Sequence, residues 1–179
     1  WDPKLTGKVG HFDWHLPNLG QMSLLNGNAS PYDIDEAAWE AVKEKTMSLR
    51  PQIGGFFDYG GTFYGLRNGN MLAMAGIGDW ITGTLEKNGA KVRTVIPEEG
   101  GLQFTESFSI GKGSQKADLA KKWIQYITSP KGQAKSAQMA AYPCLIPSQK
   151  GWEVLNAENP AEAKRQGMVL GESNAMDLI

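Results

Sequence analysis

The sequence predicts an α/β fold with a mixed, mostly parallel sheet flanked by helices. Three observations predict it. Short apolar stretches alternate with longer amphipathic, helix-patterned ones along the 179 residues. The helical stretches are bounded by recognisable caps and stops. One apolar run, "MLAMAGIG" (71–78), is apolar throughout, as a strand buried on both faces would be.

The elements follow in order. "GKVGHF" (7–12) reads as a strand, and "LPNLGQMSLLNG" as a helix with Pro17 near its first turn and Gly27 after its end. "DIDEAAWEAVKEKTMSLR" (33–50) is the clearest helix. Asp35 is its candidate cap, acids occupy the first turn and bases the last, and this suits the helix dipole. Ala38, Val42 and Leu49 with Trp39 form its apolar stripe, and Pro51 ends it. "QIGGFF" is a second strand, "GGTFYGLRNGN" a short helix closed by Asn68-Gly69, and "MLAMAGIG" a third strand. "DWITGTLEKNGA" continues as a helix stopped by Asn88-Gly89, and "KVRTVIP" (91–97) reads as a fourth strand. "GLQFTESFSIG" is extended. "QKADLAKKWIQYITS" carries Leu119, Trp123 and Ile127 at helical spacing, and "PKGQAKSAQMAA" starts a helix at Pro130. The tail reads as short helices and turns.

Composition narrows the function classes. Hydrophobic residues make up 41% and charged ones 21%, with a formal net charge of -1, so the chain has no basic field to hold nucleic acid. No apolar run approaches the roughly 18 residues that a membrane helix needs. The single cysteine, Cys144, has neither a disulfide partner nor a CxxC mate. His11 and His15 lie four apart, but "KVGHF" reads as strand and no third ligand accompanies them, so no metal site or cofactor is expected. The start, "WDPKLTGKVGHF", resembles the middle of a chain, and a removed signal peptide is compatible with it.

In open α/β sheets, ligands sit beyond the carboxyl ends of the strands. That rule selects Asp13-Trp14, Asp58-Tyr59 and Asp79-Trp80, three acid–aromatic pairs after three successive strands. A carboxylate accepts charge-assisted hydrogen bonds from an ammonium group, and an aromatic face adds cation–π attraction of roughly 0.5 to 2 kcal/mol. Such pairs suit an amine and repel phosphate. Each also has a structural use: Asp79 fits a helix cap, Asp58 a turn before Gly60-Gly61, and Trp14 and Trp80 fit packing roles. No GxSxG elbow, Walker loop or HExxH occurs, and "GKGSQK" (111–116) lacks the phosphate-loop order. No enzymatic activity is expected.

The ordered pieces "WDPKLTGKV", "MLAMAGIGDW", "IPEEGGLQFTESFSI", "ADLAKKWIQYITSP" and "AAYPCLIPS" resemble the C-terminal part of periplasmic solute-binding proteins of ABC importers, in the polyamine (spermidine/putrescine) branch. The resemblance implies a type II periplasmic-binding-protein fold lacking most of its first lobe. Residues 1–106 and 149–179 would form the second lobe, and 107–148 would belong with the first. It implies capture of a small amine-containing solute such as putrescine, spermidine or a γ-aminobutyrate-like amine, by two-lobe closure, for an ABC permease in the inner membrane.

By position, Asp79 and Glu106 would hold the ammonium group, with Phe104, Trp80 and Tyr142 flanking it and Asp13, beside Trp14, adding a further contact. The polyamine branch places a tryptophan where this chain has Gly76, and a ligand carboxylate would call for an arginine, of which Arg67 and Arg93 are the nearest candidates. The location implied is periplasmic, or extracytoplasmic and lipid-tethered in a Gram-positive host. If the first lobe is missing, a second copy would cover the Trp123 face. The rival functions are an enzyme on a related two-lobed scaffold and a sensory ligand-binding domain.

Overall fold

The computed structural model describes residues 1–167; the end of the expected 149–179 segment lies outside the described residues. The chain divides into two compact units, Trp1–Phe104 and Thr105 onward.

Unit 1 is built on three parallel strands, β1 (Val9–Phe12), β2 (Ile53–Phe57) and β3 (Ala73–Ala75), in the order β2-β1-β3. The central strand is β1, and the parallel pairing brings all three carboxyl ends to one edge of the sheet. The pairing with β2 shifts between Val9 and Gly10, so Gly10 lies opposite Gly55 and His11 opposite Phe56.

Four helices accompany the sheet: α1 (His15–Leu25), α2 (Glu36–Ser48), α3 (Tyr59–Arg67) and α4 (Asp79–Lys87). Asp35 caps α2, its carboxylate accepting from the Ala38 N–H at 2.7 Å. Met22 of α1 with Val42 and Leu49 of the α2 end bury a core, against which Leu19, Leu25, Ile34 and Ile53 pack. That core omits Trp39, which the sequence places in the stripe and the structure leaves exposed. On α4, Ile81, Thr82, Gly83 and Leu85 are buried.

Two expectations need correction. The run 71–78 is not a strand buried on both faces: only Ala73–Ala75 pair, at the edge of the sheet, and Leu72 and Ala73 are exposed. An apolar run alone does not reveal how many neighbours a strand has. Residues 91–97 form no strand at all. Among the described residues both strand pairings are parallel, in keeping with the expected mostly parallel sheet flanked by helices.

Unit 2 is helical: α5 (Ala117–Ile127), α6 (Pro130–Ala137), α7 (Gln149–Glu158) and α8 (Pro160–Arg165). The Ser129 hydroxyl caps α6, accepting from the Gly132 N–H at 3.1 Å, and Pro130 takes the first helical position. Gly132 permits the tight α5–α6 turn, because a Cβ there would lie 2.0 Å from the Tyr126 carbonyl oxygen. The core of this unit is Ala134, Ala137, Ile146, Trp152, Leu155 and Ala163, with the Trp152 indole N–H donating to Ile146 O at 2.6 Å. Residues 149–167 therefore pack on the α6 helix that follows Ser129.

Candidate functional site

The carboxyl edge of the sheet carries the acid–aromatic pairs, and the backbone there is well held. Asp13 N–H donates to Phe57 O at 2.8 Å, which joins the end of β1 to that of β2. Asp13 and Trp14 are exposed, Trp14 at 54%, and Trp14 stands at the N-cap of α1 with its N–H on Phe12 O. Asp58 is exposed and caps α3, its carboxylate accepting from Gly61 N–H at 2.7 Å, so its turn role is real.

Asp79 differs from the cap expected of it. The N-cap of α4 is Gly78, and Asp79 is the first residue inside the helix. A carboxylate in the first turn still complements the helix dipole. Gly76, Ile77 and Gly78 separate it from the end of β3. Asp79 is half-buried and lines a groove of about 470 Å3 with Gln21, Thr82, Lys91, Arg93 and the 71–78 segment. The hydroxyls of Thr82 and Thr94 share a hydrogen bond, which ties the 91–95 segment to α4.

The aromatic rings form a chain. Phe12 and Tyr59 lie 4.6 Å apart by ring centroids, Tyr59 and Trp80 5.4 Å, and Trp80 and Phe63 5.8 Å in an edge-on arrangement. These spacings are those of favourable tilted aromatic pairs. Trp80 and Phe104 both approach Gly78: a Cβ there would lie 2.8 Å from the Trp80 ring and 3.7 Å from Phe104. Phe104 itself is 63% exposed. Unit 2 holds the remaining pair, with the Tyr142 hydroxyl donating to Glu106 Oε1 at 2.5 Å.

The structure thus brings Trp80 together with Phe104, and Glu106 with Tyr142. Tyr59 is the residue that sequence reasoning left out, although the Asp58-Tyr59 pair already stood in the strand-end pattern; its ring bridges β1 and α4.

Gly76 has a structural explanation. Its φ is +76°, its N–H donates to Gln21 Oε1 at 3.2 Å, and a Cβ would lie 2.7 Å from Asn18 Oδ1. A side chain here would be strained by the left-handed backbone and would have to displace Asn18 Oδ1, which disfavours a tryptophan wall at this position. His11, weighed above for metal, sits on β1 with its Nδ1 2.8 Å from Asn18 Oδ1. His15 begins α1 and is exposed. Among the described residues no group of three or more His, Cys, Asp or Glu is arranged to hold a metal ion. Burial pushes the His11 pKa below its ordinary value, and the bond with Asn18 opposes this only in part.

The family model for bacterial extracellular solute-binding proteins matches residues 1–158. The chain belongs to that family. No individual curated protein matches it by sequence. Membership makes the chain a binder of a small solute that serves an ABC importer, in a family that is normally non-enzymatic and works outside the cytoplasm. Among the described residues no helix is long and apolar enough to cross a membrane.

Proposed function

We propose that this solute-binding protein captures a small amine-containing solute. The carrying observation is the ring chain Phe12–Tyr59–Trp80–Phe63 beside the carboxylates Asp13 and Asp58 at one edge of the sheet. Half-exposed rings next to carboxylates favour an alkylammonium group through cation–π attraction and charge-assisted hydrogen bonds. Asp79, Trp80, Phe104, Asp13 and Trp14 are the proposed contacts in unit 1; within unit 2, taken by itself, Glu106 and Tyr142 are a proposed contact pair. Capture by two-lobe closure belongs to the same proposal, as does a periplasmic location or, in a Gram-positive host, lipid tethering outside the cytoplasm. So does a second copy covering α5, supported by the exposed Leu119, Trp123 and Tyr126.

The groove favours one amine class. Arg93 and Lys91 line it together with Asp79, so both charges of a zwitterion would find a counterpart. That supports a γ-aminobutyrate-like amine over a long polyamine, whose expected tryptophan is disfavoured at Gly76. Thermal unfolding with putrescine, spermidine and γ-aminobutyrate tests the proposal. Ligand at 100 times its dissociation constant stabilises by about 2.7 kcal/mol. A shift with γ-aminobutyrate is expected. A shift only with a sugar or an anion would overturn the amine assignment.

A further inference from the structure

One side chain joins the two strand ends that carry the proposed contacts. Asn18, on the first turn of α1, donates through Nδ2 to Phe12 O at 2.7 Å and to Trp14 O at 2.8 Å. Two carbonyls on one atom require that atom to be the NH2 group. The other atom, Oδ1, is therefore an acceptor, and His11 Nδ1, 2.8 Å away, must carry a hydrogen. The same Oδ1 packs on Gly76, one turn of α1 before Gln21, which accepts the Gly76 N–H. Asn18 and Gln21 together clamp the 12–14 segment and the Gly76 turn that leads to Asp79.

The clamp also fixes the state of His11. Its ring is 4% exposed, and Nε2 has no hydrogen-bond partner among the described residues. With Nδ1 donating, Nε2 is a bare lone pair, which is tolerable only while the ring is neutral. A second proton would place an N–H and a charge where no acceptor stands. The neighbours that meet His11 from three elements are neutral: Asn18 from α1, Phe56 from β2 with ring centroids 5.9 Å apart, and Ala75 paired with it on β3. The titratable groups nearest in sequence, Asp13 and His15, are exposed, and no charge contributes to the lowered pKa of His11.

We propose that Asn18 is a positioning residue for the ligand site, holding the end of β1 and the Gly76 turn in one arrangement through neutral His11, and that proton uptake by His11 loosens both. The proposal rests on the amine-site reading above for what is being positioned; the clamp itself does not depend on it. Acidification would then release the bound solute.

The test is amide hydrogen exchange on the whole chain, corrected for intrinsic rates, with putrescine and γ-aminobutyrate titrations in parallel. Asn18→Asp keeps the acceptor for His11 and removes both donated bonds. Exchange at Trp14 and Gly76 is expected to rise at least tenfold more than at Leu85, a buried residue of α4 in the same unit. Equal acceleration at all three amides would mean a merely structural role and overturn the proposal, as would no change.

The second arm needs no change at Asn18. Wild-type exchange at Trp14 and Gly76 should rise as pH falls below about 6.5. His11→Asn, whose amide mimics Nδ1–H without titrating, should abolish that rise; persistence of the rise would overturn the role of His11. If neither amine binds while the exchange results hold, the amine reading fails and the clamp stands.

Discussion

Helices α4 and α5 are both amphipathic, and they meet opposite fates. The α4 helix buries Ile81 and Leu85 completely within its own unit. The α5 helix carries the more one-sided apolar face, yet no residue of it is buried: Leu119 is 64% exposed and Trp123 54%. Periodicity says that a face wants cover. It does not say what supplies the cover. The difference teaches that the pattern in α4 is a folding signal satisfied locally, whereas the pattern in α5 is one that its unit leaves unanswered.

Truncation at matched leucines gives the largest effect. Leu85→Ala should cost about 2–5 kcal/mol, the range for a buried leucine whose site collapses incompletely. Leu119→Ala should stay within about 0.5 kcal/mol, as exposed substitutions do. Urea denaturation of both variants checks the contrast. A cost for Leu119→Ala near that of Leu85→Ala, falling on dilution, would reveal a second copy on α5 in solution and erase the distinction.

Gly76 sharpens the comparison at the sheet edge. A left-handed backbone costs a non-glycine residue about 1–2 kcal/mol, and the added Cβ must also displace Asn18 Oδ1. Gly76→Ala should therefore destabilise unit 1 beyond the backbone cost alone. It should also alter the near-ultraviolet circular dichroism of the aromatic chain, while Leu119→Ala leaves that signal unchanged.

Much of this was legible in the sequence because it depends on local chemistry. Asp35, Pro130, Asn68-Gly69 and Asn88-Gly89 marked helix ends where the structure has them. The strand-end rule placed Asp13 and Asp58 directly after β1 and β2, because parallel pairing brings the carboxyl ends to one edge, whereas three residues separate Asp79 from the end of the shorter β3. What escaped depends on contacts between distant residues. The pairing partner of 91–97 was not encoded in its own alternation, and the stretch forms no strand. The Asn18–His11 clamp escaped because a buried neutral histidine and a helix-face asparagine have no spacing signature. Tyr59 was visible as half of a pair, but its bridging position required the ring geometry.

The two units should also part on acidification. Both histidines lie in unit 1, and buried His11 has its folded-state pKa below the unfolded value near 6.5. Between those values the unfolded chain binds more protons, so the stability of unit 1 is full above about pH 6.5 and falls as pH drops toward the folded pKa. The slope is at most about 1.4 kcal/mol per pH unit for one group. Denaturation followed at Trp80 should show this loss, and His11→Asn should remove it. A wild-type profile that His11→Asn leaves unchanged would dissociate the loss from this ring.

The smallest effect concerns how each unit starts its helices. Ser129 offers a hydroxyl to Gly132 N–H at the start of α6, whereas Gly78 at the start of α4 offers no side chain. Ser129→Ala should cost about 1 kcal/mol, because it strands an N–H in the half-buried α5–α6 turn. The reverse change at α4 should not give the mirror-image gain. In Gly78→Ser the new Cβ would lie 2.8 Å from the Trp80 ring, so any capping bond comes with displacement of that ring from Tyr59 and Phe63. Urea midpoints of the two variants decide the matter. A Gly78→Ser variant stabilised by a full capping increment, with its aromatic circular dichroism intact, would mean that Trp80 is free to move and that the ring chain does not define the edge it lines.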